Sequence, residues 1–145
     1  MGARDGAASA GLRRPRVVVE APTSPWHWLV KEAQSLTAFD VQFCSGPAGR
    51  SDHQCPLVAG SRCPLVEQAD VVITGLGLDD PQTREIVAAL RAEFPATPLV
   101  VLAKQGEARR LRELLADCNV IPFPWTAQKM AAAVSSALEA RDRSG

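Results

Sequence analysis

The sequence has no excess of charge of either sign: lysine plus arginine and aspartate plus glutamate number 16 each. Without a net positive field, nothing recommends nucleic acid or an anionic membrane as a partner. It also lacks a long apolar run. The opening "MGARDGAASAGLRRP" carries arginines and small residues but no continuous apolar stretch of the kind a signal peptide or membrane span requires. The expectation is a cytoplasmic protein. Lysine is scarce, limited to Lys31, Lys104 and Lys129, and the alanine- and arginine-rich remainder suits a bacterial coding sequence without bearing on function. What is present is 145 residues, 46% of them hydrophobic, enough for one domain with a core and too few for two. Cys44, Cys55, Cys63 and Cys118, in a chain with no secretory signal, read as thiols or metal ligands in a reducing compartment and not as a disulfide framework.

Buried strands and amphipathic helices alternate along the chain. "RVVVEA" from Arg16 is a short β-branched run, "ADVVITGLG" and "TPLVVLA" are further buried apolar runs, and "FDVQFC" alternates Phe39, Val41 and Phe43 and suits a strand nearer a sheet edge. "NVIPF" completes five strands. Helices are expected after Ser24 and Pro25, after Asp80 and Pro81, over "GEARRLRELLAD", and after Thr126, each with a capping residue or helical spacing of apolar positions. This pattern predicts an α/β fold: a single doubly wound domain with a five-stranded parallel sheet in order 2-1-3-4-5 and helices on both faces. Its expected span is residues 16–140, between a disordered N-terminal tail (1–15) and a C-terminal tail (141–145). The rhythm breaks between Cys44 and Ala69, where Gly46, Pro47, Gly49, Pro56, Gly60 and Pro64 replace helix two by a connection with at most a short helix at Pro64.

The order of elements, with "DVVITGLGLDDPQTREIVAALRAEFPATPLVVLA" and "NVIPFPWTAQKMAAAV", resembles the receiver domains of bacterial two-component response regulators over roughly residues 16–138. That resemblance implies phosphorylation of an aspartate at the end of strand three, with magnesium held by acids at the end of strand one. Position by position, the acidic pair falls on Glu20 and Ala21, the phosphoacceptor on Thr74 or Gly75, the hydroxyl residue closing strand four on Ala103, and the lysine preceding a proline on Phe123. One glutamate beside alanine and glycine is a poor magnesium site, since that ion demands several oxygens in near-octahedral array. The resemblance therefore implies a pseudo-receiver: a non-catalytic regulatory or protein-interaction module that has lost the phosphoacceptor and acts on a protein partner through its carboxyl-edge loops and last helix. Asp79 and Asp80 read as helix-capping acids, and Lys104 as a solvated lysine or a displaced cation.

The alternative comes from "HQCPLVAGSRCPLV", in which Cys-Pro-Leu-Val is written twice. Topology puts Cys44, at the end of strand two, and Cys63, before Pro64, on the carboxyl edge, with His53 and Cys55 between them and Cys118 on the opposite edge. Three thiols and His53 supply ligands of the type that zinc or an iron-sulfur cluster uses, although the spacing matches no standard finger or cluster motif. Cys63 at a helix start also suits thiol-redox chemistry, and buried structural thiols are the plain reading. Otherwise no cofactor is expected. "TGLG" is only a fragment of a phosphate loop, and "EAPTSPW" lacks the glycines of a dinucleotide fingerprint. His27 reads as a polar-face residue between Trp26 and Trp28, one of which is expected to be exposed as a contact residue. Arg109, Arg110 and Arg112 read as a solvated helix face paired with Glu107 and Glu113.

Overall fold

The structure, a computed structural model, describes residues 14–21, 27–44, 55–57, 59–61 and 63–144. Strands β1 (Arg16–Glu20), β2 (Asp40–Cys44), β3 (Val71–Thr74), β4 (Leu99–Ala103) and β5 (Asn119–Pro122) form one sheet in the order β2-β1-β3-β4-β5, with every pairing parallel. The apolar runs are the cause. Val17, Val18 and Val19 on β1, all of β3 and all of β4 are buried, so both faces of the central strands must be covered, and βαβ crossovers do this. β2, whose sequence alternates, is an edge strand with Phe43 exposed. The fold class is as predicted from the sequence.

Alternation divides the interior in two. Val17, Val19, Val71 and Ile73 face α1 (Trp28–Gln34) and α5 (Ala127–Ser144), where Leu29, Ala33, Met130 and Val134 meet them. Val18, Val72 and Val101 face the other way, against Ile86, Val87 and Leu90 of α3 (Pro81–Glu93) and against Cys55, Leu57 and Cys63 of the connection. Each fully buried valine or leucine contributes roughly 1.5–3 kcal/mol of transfer free energy, so these two clusters dominate stability.

The caps at Asp80 and Thr126 form as expected: Asp80 Oδ1 accepts from Gln82 N at 2.9 Å, and Thr126 Oγ1 from Lys129 N at 3.2 Å. Four details differ from expectation. α1 is capped by His27, whose Nδ1 accepts from Leu29 N at 3.2 Å, so His27 is not a polar-face helix residue; Ser24, Pro25 and Trp26 lie outside the described residues. The helix after β4 is short. α4 covers only Glu107–Arg110, and the chain continues as turns through residue 117. Glu107 is buried rather than paired on a solvated face, because its Oε1 accepts from Lys104 N at 2.7 Å. α5 runs on to Ser144, through residues assigned from sequence to a tail. The short helix expected at Pro64 is present: α2 is the four-residue helix Pro64–Glu67, with Cys63 at its N-cap, while residues 45–54, 58 and 62 of the connection, with Gly46, Pro47 and Gly49, lie outside the described residues. Among the described residues no helix is long and apolar enough to cross a membrane.

Candidate functional site

The parallel strands bring several chemistry-bearing positions to the carboxyl edge of the sheet. Glu20 ends β1 and is the register partner of Thr74, which ends β3; both side chains are sealed from solvent. Burial pushes the Glu20 carboxyl up to about 7, with the neighbouring Thr74 hydroxyl opposing that rise. Glu20 Oε1 and Thr74 Oγ1 nevertheless meet no hydrogen-bond partner at proper geometry, so the hydroxyl approaches without closing a bond. A buried carboxyl left in this state is costly and uncommon.

The positions beside Glu20 are apolar. Ala21 and Ala103 are buried, and Gly75 follows β3 with its N–H donating to Glu20 O at 2.8 Å. A Cβ on Gly75 would lie 2.1 Å from Leu29 Cδ2 and 3.3 Å from Leu102 Cδ1, so leucine side chains occupy the space that any side chain here would need. Phe123 is 67% exposed, and its N–H donates to Ala103 O at 3.2 Å. The Phe123–Pro124 peptide bond is cis. Lys104 and Asp79, both exposed, approach to 4.0 Å, a loose surface pair that contributes at most about 1 kcal/mol.

Phe123 belongs to an aromatic cluster. Trp125 meets it edge-on at 5.2 Å and stacks on Trp28 at 5.3 Å, while His27 lies 5.4 Å from Trp28. Trp28 is an exposed aromatic, as expected for one of the two tryptophans of the first helical segment. Trp125 was not singled out by sequence reasoning. The signal was "FPWT", two aromatics around a proline directly after a strand. Trp125 Nε1 donates to Ile121 O at 2.9 Å, which fixes the ring against the end of β5.

Cys44, Cys55 and Cys63 line one cavity of about 410 Å³ together with Glu20, while half-buried Cys118 lies at the other edge, immediately before β5. Burial raises the Cys118 thiol above its ordinary range, opposed by Arg91 and reinforced by Asp117. No disulfide joins these four cysteines. Among the described residues no three His, Cys, Asp or Glu side chains gather as a group able to hold a metal ion, and His53 lies outside those residues. The structure thus brings the three sulfurs to one wall without assembling a ligand set from the described residues. It adds Glu20 to the lining of the same cavity.

No protein-family model and no curated protein matches the sequence. Solved structures do match. A response regulator receiver domain from Clostridium thermocellum is 16% identical with a TM-score of 0.65, covering 90% of this chain and 99% of that one. A response regulator receiver protein from Sinorhizobium medicae is 16% identical, with a TM-score of 0.61 and coverage of 90% and 98%. The signal receiver domain of a putative LuxO repressor protein from Vibrio parahaemolyticus is 14% identical, with a TM-score of 0.64 and coverage of 90% and 95%. At these identities the likeness establishes the fold: the chain has the receiver fold across nearly its whole length.

Proposed function

We propose that this chain is a receiver-like regulatory module that acts through contact with a protein partner and does not perform aspartyl phosphotransfer. The observation that carries the reading is Gly75. With Thr74 it is one of the two positions where the resemblance puts the phosphoacceptor; Thr74 has no carboxylate, and a Cβ on Gly75 would meet Leu29 Cδ2. A carboxylate is absent from this position, and the space for one is filled by hydrocarbon. Three neighbours add to the argument. Ala21, Ala103 and Phe123 replace a second metal-binding acid, a hydroxyl and a lysine, so neither an octahedral magnesium site nor stabilisation of a transferring phosphoryl group has its oxygens and cations. The Trp28, Trp125 and Phe123 cluster supplies the residue types that carry contact energy at interfaces.

The test is exposure of the full chain to radiolabelled acetyl phosphate with magnesium, followed by intact mass analysis. No incorporation is expected. A stable phosphoryl adduct on any one aspartate would overturn the reading.

A metal-binding or thiol-redox domain is the second reading, favoured by Cys44, Cys55 and Cys63 lining one cavity. Metal analysis of the purified protein beside a C44S/C55S/C63S variant decides it. Stoichiometric zinc or iron present in the parent and lost in the variant supports this reading; a metal-free parent removes its metal-binding form.

A further inference from the structure

A cavity lies at the β1–β2 edge, beside the described part of the connection. α2 is four residues long and begins at a proline, so it covers little of the sheet face that a full helix would pack. The cavity is about 410 Å³, within the range of sites that enclose small organic ligands. Its walls are hydrocarbon and sulfur: Val18, Leu57 and Val66 with the three thiols already described. Among the described residues that line it there is no lysine, arginine or histidine. One lining group is acidic. Glu20 is 3% exposed, and its Oε1 has no hydrogen-bond partner.

Chemistry restricts the occupant. An anion would be repelled by Glu20 and finds no lining cation among the described residues. A purely apolar molecule would fill the walls but leave the carboxyl oxygen without a donor, the costliest arrangement for a buried polar group. A protonated amine corrects the defect, because a charge-assisted N–H to carboxylate bond is about twice as strong as a neutral one and gains further where water is excluded. We propose that this cavity binds a small primary amine with a compact apolar body, its ammonium donating to the Glu20 carboxylate and its body packing on Val18, Leu57 and Val66.

Proton linkage accompanies such binding. In the empty protein burial holds the Glu20 carboxyl up to about 7, so near neutrality it is divided between the acid and its anion, and an ammonium selects the anion. The groups around it are the thiol of Cys44 on β2, those of Cys55 and Cys63 on the connection, and the Thr74 hydroxyl on β3. The exposed charges of Asp79 and Lys104, on the loops after β3 and β4, lie beside one another.

The experiment titrates the full chain with 2-phenylethylamine and with 2-phenylethanol, its neutral near-isostere, following NMR shifts at about pH 6 and about pH 8. The amine is expected to bind saturably and to lose about tenfold in affinity from the higher to the lower pH, the ratio of ionised Glu20 that its titration dictates. The alcohol is expected to bind at least about tenfold more weakly at the higher pH, with no such dependence. Glu20→Gln keeps the shape of the side chain and is expected to abolish both the preference and the pH dependence. Amine occupancy is also expected to slow alkylation of Cys55 and Cys63 but not of Cys118, which lies at the other edge. Equal binding of amine and alcohol, unchanged amine binding in Glu20→Gln, protection of Cys118 alone, or no saturation up to about 10 mM would each overturn the proposal. The amine–alcohol comparison uses the unaltered protein, so it stands even if the variant fails to fold.

Discussion

Glu20 and Thr74 stand opposite each other across the β1–β3 ladder, both sealed from solvent, each with an oxygen that meets no hydrogen-bond partner. The ladder forces this pairing. Val17 to Val19 pair with Val71 to Ile73 as a strip of hydrocarbon, and the next register pair carries the only polar side chains of that strip to the carboxyl edge.

The first consequence is a pH-dependent stability. Burial raises the Glu20 carboxyl from 4.5 to about 7 in the folded protein, so between these values the native state binds more protons than the unfolded chain. Stability from this group is complete below about 4.5, falls as pH rises through the window and is lost above about 7; the full change is about 3 kcal/mol. Glu20→Gln, neutral at every pH, is expected to flatten this part of the profile and to exceed the parent in stability near pH 8. Urea unfolding across the window measures both. A parent whose stability rises from about pH 5 to about pH 7 would contradict the assignment.

Gly75 and Leu29 provide a second test. Leu29 is fully buried, so its Cδ2 cannot yield freely to a new methyl group that would lie 2.1 Å away. Gly75→Ala is expected to cost about 1–3 kcal/mol through overpacking. Leu29→Ala alone leaves a cavity and costs about 2–5 kcal/mol. In the double variant the new methyl occupies part of the space the leucine vacated, so the combined loss should fall below the sum of the single losses by about 1 kcal/mol or more. Strict additivity in denaturant unfolding would show that the two side chains do not compete for the same volume.

Glu32 joins the two helices of one sheet face. Its Oε1, on α1, accepts from Ala127 N at 2.8 Å and so satisfies one of the exposed N–H groups at the start of α5. Glu32→Ala is expected to destabilise by about 1 kcal/mol, with faster amide exchange in the first turn of α5, and Glu32→Gln to recover part of the loss. No change in exchange at residues 127–130 would rule out this capping role.

The fold was legible because its signals were local. Unbroken apolar runs at Val17, Val71 and Val100 suit strands buried on both faces, and Asp80-Pro81 marks a helix start by its own chemistry. The candidate site was legible in place but not in content. Spacing put Cys44, Cys55 and Cys63 on one edge, yet that Glu20 would share their cavity follows from which face position 20 takes in the ladder. Long-range partners were hidden altogether. His27 serving as a cap, Glu32 reaching the start of α5 and Glu107 turning back to Lys104 N depend on residues brought together by folding, and the last left the arginines of α4 without the partner expected from helical spacing.

The turns that follow α4 are held by a side chain of α3. The sequence "GEARRLRELLAD" has helical spacing throughout, yet only Glu107–Arg110 is helical, and two carbonyls of the turns beyond it are met by a side chain of α3. Arg91, on α3, donates from Nη1 to Glu113 O at 3.0 Å and Leu114 O at 2.6 Å, and from Nη2 to Asp117 Oδ2 at 3.0 Å. The guanidinium thus satisfies carbonyls of the turns that follow α4 and holds that segment, with buried Leu115, against α3. A lysine has one nitrogen and cannot bridge three acceptors in a fixed fork. Arg91→Lys is therefore expected to lose about 1–2 kcal/mol and Arg91→Ala about 2–3 kcal/mol, since two carbonyls lose a charged donor. Amide exchange should quicken across residues 111–118 in both variants while β3 and β4 stay protected. Equal stability of Arg91→Lys and the parent would mean that charge alone, and not the fork, holds this segment in place.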